Sequence, residues 1–421
     1  MPTTARRSAP DRAQTIDMSA YWMKVALGNL LAAACLGVVL RFAFVVELSW
    51  LEFRQVLHAH SHVAMLGWVY LALFGALVET FLGEGRMRTA RYRILFWLTQ
   101  ISVLGMLLTF PVEGYGPFSI AFSTAHVLLS YVFAYRFWRD LEAGPAAGPS
   151  LRFARGALVF MILSTLALWA MGPIILFGLQ GSAFYYMSVQ FFLHFQFNGW
   201  FLFAVFALLF HHWKEIPQRP AYWFFTLLAI SCLLTYALAV AWSNPQAVVF
   251  WTNGVGVTLQ LGALGVFWKK LYPGLRPTLA GPAGWLLRLA LFCWALKVLI
   301  QAAVLIPYIA TVAYTIRNYV IGFMHLLLLG VITHFLFGYA ARHGWLVWSA
   351  RTARIGIALF FAGFVLSELL LFLQGTMFWG ALGFLPFYYE ALTLFSLLLP
   401  LGVLGLLVGS TIPGWRHHSR H

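Results

Sequence analysis

The chain has 421 residues, of which 62% are hydrophobic and 9% charged, with a formal net charge of +15. Soluble domains carry about 25% charged residues, so this composition excludes an ordinary water-soluble globule and points to an all-α polytopic membrane protein. The basic excess sits in short stretches between apolar segments, a positive-inside pattern, and nucleic acid is excluded as a partner.

Residues 1–18 form a polar tail carrying Arg6, Arg7 and Arg12. The apolar stretch that follows is of full spanning length, so no cleavable signal peptide is expected. Apolar segments long enough to cross a bilayer recur twelve times, near 20–47, 56–82, 93–111, 117–138, 153–178, 184–211, 221–242, 247–270, 284–308, 314–341, 353–375 and 384–410. The links are short, so residues 19–411 are expected to form one membrane domain and 412–421 a second tail. Arg and Lys follow every even-numbered segment, for example Arg86, Arg88, Arg136, Arg139, Lys269, Lys270 and Arg342. Both termini are therefore expected on the cytoplasmic side of a bacterial-type inner membrane. Cys35, Cys232 and Cys293 lie in apolar segments without CxxC spacing and read as small core residues. No internal repeat is evident, which argues against a transporter built from inverted halves.

Three arginines depart from the charge pattern: Arg41 late in the first segment, Arg54 before the second and Arg317 near the start of the tenth. They fall at a depth similar to that of the histidines. Histidine is costly in hydrocarbon and marks functional sites there. His58, His60 and His62 crowd the start of the second segment. Residues four apart share a helix face and residues two apart do not, so His58 and His62 pair on one face and His60 points elsewhere. Gly67, below His62, permits close approach of a flat group or of another helix. In the fourth segment His126 is a lone buried histidine and reads as packing. In the sixth, Gln190, His194 and Asn198 form a polar stripe, and His211-His212 cap its end. In the tenth, His325 lies about two turns into the span, and His334 nine residues on is too far along the helix to reach the same iron. Lys297, Glu368 and Glu390 are further intramembrane ionisable groups that a proton-coupled transporter would use. Glu47, Glu52 and Glu113 lie near the side opposite the termini.

Imidazole is the commonest protein ligand for haem iron and copper. Two histidine-bearing helices can grip one haem from both faces. The iron ligands expected are His62 and His325, with His58 and His60 as alternatives in the second segment. Arg41, Arg54 and Arg317 are suited to pair with haem propionates. A second metal site would draw on His194 with His60 or His334.

The twelve spans, with a histidine early in the second, one in the sixth and one in the tenth, resemble subunit I of the haem–copper oxidase and nitric oxide reductase superfamily. The run Tyr319-Val320-Ile321-Gly322-Phe323-Met324-His325 is similar to that family's tenth-helix motif of two histidines two apart. The resemblance implies a low-spin haem on His325 and on His62, His60 or His58, and a first copper ligand at His194. The high-spin haem position falls on Phe323, which cannot bind iron. The seventh segment, about Ala221 to Trp242, lacks the paired histidines, and Phe195-Gln196-Phe197-Asn198 replaces the motif that follows the sixth-helix histidine. The resemblance therefore implies a b-type haem in electron transfer, with a quinol or cytochrome c donor and respiratory partner subunits, but an incomplete copper–haem centre. His60-Ser61-His62 with Gly67, and His325 with Gly330 and Arg342-His343-Gly344, also resemble the NnrS family of haem- and copper-containing proteins, which implies nitric oxide handling.

Overall fold

A computed structural model describes residues 17–144, 148–211, 213, 215–347 and 350–411. Twelve helices in it are long and apolar enough to cross a membrane: α1 Met18–Phe42, α2 Phe53–Leu82, α3 Ala90–Glu113, α4 Pro117–Ala143, α5 Gly148–Leu176, α6 Ala183–His211, α7 Gln218–Ser243, α8 Ala247–Leu279, α9 Gly284–Ala303, α10 Arg317–Arg342, α11 Arg351–Trp379 and α12 Tyr388–Ser410. In hydrocarbon every backbone polar group must be satisfied within the segment, and helices do this. The described residues contain no strand. An even number of spans leaves the ends of the bundle on one face, called here the terminal face; the opposite one is the distal face.

The expected span limits hold to within a few residues except at two places. Residues 304–308, expected at the end of α9, and residues 314–316, expected at the start of α10, leave the spans. Between them a separate short helix, Pro307–Thr315, opens with its proline in the first turn, where a missing N–H costs nothing. The eighth span continues past residue 270 to Leu279, beyond a widened turn at Phe267–Leu271.

The twelve helices fall into three runs of four, α1–α4, α5–α8 and α9–α12, that share one pattern in their second helix. In each run the second helix is the innermost. Its central stretch is 78% buried for α2, 78% for α6 and 61% for α10, against 28% to 50% for the other spans. Each of these helices contains a π-helical segment that begins directly after a histidine: Val63–Val69 after His62, Phe195–Phe201 after His194 and Leu326–Thr333 after His325. A glycine lies five residues beyond each histidine, at Gly67, Gly199 and Gly330. The pattern recurs about every 130 residues, a threefold recurrence of histidine, widened turn and glycine.

The glycines are contact points inside the runs. A Cβ on Gly67 would lie 2.8 Å from Val103 of α3 and 3.0 Å from Asn29 of α1; one on Gly199 would lie 2.5 Å from Phe160 of α5. One on Gly330 would lie 2.8 Å from Phe364 of α11 and 3.1 Å from Cys293 of α9. Small residues let membrane helices approach closely where no hydrophobic effect pulls them together. The three central helices meet one another through aromatic rings and hydroxyls. Trp68 Nε1–H donates to Thr333 Oγ1 at 2.9 Å, the Thr80 and Tyr339 hydroxyls bond at 2.6 Å, and the Tyr70 and Trp200 ring centroids are 5.9 Å apart.

Candidate functional site

The distal halves of α2, α6 and α10 carry the expected site histidines other than His334, and each packs against a neighbouring helix. Two residues advance a helix by about 200° at 3.6 residues per turn, so His60 and His62 face opposite ways. The His62 ring lies 4.3 Å from the Phe110 ring of α3, and His58 lies 4.6 Å from Tyr115 just beyond it. His62 Nδ1–H donates to His58 O at 2.8 Å. His58 lies within electrostatic reach of Arg54, which is exposed. His58, His62 and Arg54 thus form one group against α3.

The opposite face of α2 builds a different compartment. His60 Nδ1–H donates to Ala33 O of α1 at 2.8 Å. A carbonyl only accepts, so the proton sits on Nδ1 and Nε2 keeps its lone pair. The Gly37 position on α1 leaves room for this ring, since a Cβ there would come 3.1 Å from His60 Cε1. The charges of His60, His325 of α10 and Arg41 of α1 are within reach of one another. Arg41 also senses Glu368 of α11, Tyr388 of α12 and the exposed Arg317. His325 Nδ1 lies 3.5 Å from Glu368 Oε1, too far for a good hydrogen bond, and both Glu368 oxygens are buried without a hydrogen-bond partner. Gly322 faces the same carboxylate: a Cβ there would lie 3.4 Å from Glu368 Oε2 and 2.9 Å from Phe372. The His325 side chain is 27% accessible. Asn318 Nδ2–H donates to the Tyr388 hydroxyl at 2.8 Å on the distal side.

The remaining expected residues lie elsewhere. His194 Nε2–H donates to Cys232 O of α7 at 2.7 Å, so the polar face of α6 turns to α7. Beside it is Lys297 of α9, fully buried, with Nζ 5.8 Å from the Phe323 ring centroid and without a hydrogen-bond partner. His334 is fully buried among Phe360, Phe361 and Phe364. Its Nδ1–H donates at 2.7 Å to Leu329 O, five residues back. The widened turn frees carbonyls from the ordinary ladder, and the ring satisfies one of them, which is a structural role. Glu113 Oε1 accepts from Ser119 N–H at 2.6 Å and closes the start of α4. Glu47, Glu52 and Glu390 are exposed. His212, His417, His418 and His421 lie outside the described residues.

Haem and copper make different demands on these side chains. A metal-bound imidazole ordinarily has its second ring nitrogen held by a carbonyl or carboxylate. His60 meets that condition through Nδ1, whereas His325 Nδ1 only approaches the Glu368 carboxyl; the two histidines come from separate helices and lie near the half-buried Arg41. These residues fit a haem. A copper ion needs several converging donors and no uncompensated cation beside it. His194 stands with the Lys297 ammonium instead, and among the described residues no three His, Cys, Asp or Glu side chains converge as a metal site. These residues do not fit copper.

The sequence reading missed Glu368 as the neighbour of His325 and Lys297 as the neighbour of His194, because hydropathy does not say which faces of two helices meet. Compared with family models and with curated proteins, the chain matches none.

Proposed function

We propose that the protein is a haem-binding electron-transfer protein of the membrane, with one b-type haem gripped between α2 and α10 by His60 and His325. The observation that carries this reading is the proximity of two imidazoles from α2 and α10 to each other and to Arg41, with His60 anchored through Nδ1. Bound there, the haem supplies one-electron redox chemistry. Two neutral imidazoles leave no open iron position, which favours electron transfer over substrate binding. Arg41 is placed to pair with a propionate, and its positive charge favours the reduced iron. Glu368 lies beside His325. The glycines at 37 and 322 keep the walls beside His60 and Glu368 free of side chains.

The reading takes His60 in place of His62 because α10 lies on the His60 side of α2. A quinol or a cytochrome c is the class of donor such a haem accepts, delivered with or without partner subunits. The arginine-rich loops support a cytoplasmic terminal face in a bacterial-type inner membrane. A transporter relay through Lys297, Glu368 and Glu390 has less support, since the three lie apart: beside His194, against His325 and exposed on α12.

The test is the reduced-minus-oxidised optical spectrum of the purified protein and of His60→Ala, His62→Ala and His325→Ala variants, expressed with ample haem. A sharp low-spin band, lost in the His60 and His325 variants and retained in the His62 variant, is expected. Loss in the His62 variant with retention in the His60 variant would move the ligand to the α3 face. A colourless wild-type protein would end the haem reading.

A further inference from the structure

We infer that the start of α5 and the facing wall of α7 form a binding site for an anionic glycerophospholipid of the leaflet at the terminal face. A groove of about 590 Å³ opens there, lined by Arg152, Arg155, Gly156, Val159, Phe225 and Ala229 among others. Arg152 and Arg155 are three apart and share a helix face. They sit in the first turns of α5, at headgroup level, and the apolar wall continues toward the bilayer centre as far as Phe160. Eight residues of helix span roughly 12 Å, enough to seat the upper part of an acyl chain.

The arginines are not merely extended into water. The Arg152 guanidinium lies 5.1 Å over the Tyr222 ring and that of Arg155 5.4 Å over the Trp138 ring. These aromatic contacts hold the planar groups against the bundle. Arg152 Nη1 and Arg155 Nε are buried and have no hydrogen-bond partner among the described residues. A buried charged N–H left unpaired is costly, and a snorkelling arginine avoids that cost by reaching solvent. Both arginines also line the groove, where a phosphodiester can pair with their charge through the outer guanidinium N–H groups. Gly156 keeps the groove floor low, since a Cβ there would lie 2.9 Å from Phe225. Charge above and apolar wall below match one kind of molecule, a lipid with a negative headgroup. Basic pockets between spans on the cytoplasmic side recognise such headgroups.

Native mass spectrometry of the full chain in detergent tests this, with phosphatidylglycerol, phosphatidylcholine, glycerol phosphate and inorganic phosphate as separate probes. At about 1 kcal/mol per basic residue near the leaflet, two arginines give a preference for phosphatidylglycerol over phosphatidylcholine of roughly thirtyfold. The Arg152→Gln/Arg155→Gln variant should bring the two lipids to parity. Val159→Trp, at a lipid-exposed position on the groove wall, should weaken both lipids without touching the charges. Lys269→Gln/Lys270→Gln removes two exposed charges elsewhere and should change nothing. Equal binding of the two lipids by the wild type overturns the proposal. So does an equal loss of preference in the lysine control, which would reduce the effect to general surface charge. Displacement of the lipid by glycerol phosphate or inorganic phosphate alone, with Val159→Trp silent, overturns it in favour of a site for free phosphate.

Discussion

Replacing Gly199 by alanine should destabilise the protein, and replacing Gly28 by alanine should not. At Gly199 the new methyl would lie 2.5 Å from Phe160 Cβ and 2.6 Å from its Cγ, where ordinary contact begins near 3.4 Å. The gap must open by about 1 Å. Phe160 Cβ is fixed to the α5 backbone and no rotation of the ring moves it, so α5 itself has to retreat from α6. Overpacking of this kind costs about 1–3 kcal/mol. Alanine returns up to about 1 kcal/mol in helix propensity, leaving a net loss of up to about 2 kcal/mol. At Gly28, mid-helix in α1, nothing lies within 4 Å of the added methyl. Only the propensity gain remains, so Gly28→Ala should be neutral or stabilising by up to about 1 kcal/mol. Reversible unfolding in mixed micelles, titrated with a denaturing detergent and followed by tryptophan fluorescence, reads both differences. A Gly199→Ala protein as stable as the wild type, or as Gly28→Ala, would refute the close approach of α5 and α6, and with it the role given to the repeated glycines.

The buried amides of Asn29 and Gln100 bond each other at 2.7 and 3.1 Å, and Asn29 also donates to Gly67 O at 3.1 Å. Asn29→Leu should cost about 1–3 kcal/mol by orphaning Gln100, and the Asn29→Leu/Gln100→Leu double variant should recover part of it; a double variant worse than the sum of the singles in the same unfolding assay would contradict the pairing. A double-mutant cycle of Trp68→Phe and Thr333→Val should give a coupling near 0.6 kcal/mol, the usual size for interhelical hydrogen bonds in membranes, and a value of zero would separate α2 from α10 at that level. Under the proposed function, Arg41→Gln should lower the haem midpoint potential in a redox titration while the low-spin band remains. An unchanged midpoint would take Arg41 out of the haem compartment.

The histidine cluster of α2 shows how far the sequence reached and where it stopped. Helical spacing separated His58 and His62 from His60 before any coordinates were considered. It gave no means of choosing which face looks toward His325, because that depends on where α10 packs. His62 was the expected ligand, yet its ring lies against Phe110 and it is His60 that comes within reach of His325 and Arg41. The threefold recurrence was overlooked for a related reason. Its copies share little beyond a histidine and a glycine five residues on, and the residues between, such as Val63–Leu66 and Leu326–Leu329, are interchangeable apolar side chains. The π-helical turns after His62, His194 and His325 make the correspondence visible.

Hydropathy and length determined the number of spans, nearly all their limits, and the confinement of charge to loops, since each is a property of a segment against the bilayer. Neighbours were decided only by the tertiary structure. In a membrane, the face of a helix that meets lipid and the face that meets another helix are both apolar, so periodicity does not announce which side is inside. The approach of Glu368 to His325, of Lys297 to His194 and of Gly199 to Phe160 depends on which faces of these helices meet, and the sequence does not carry that.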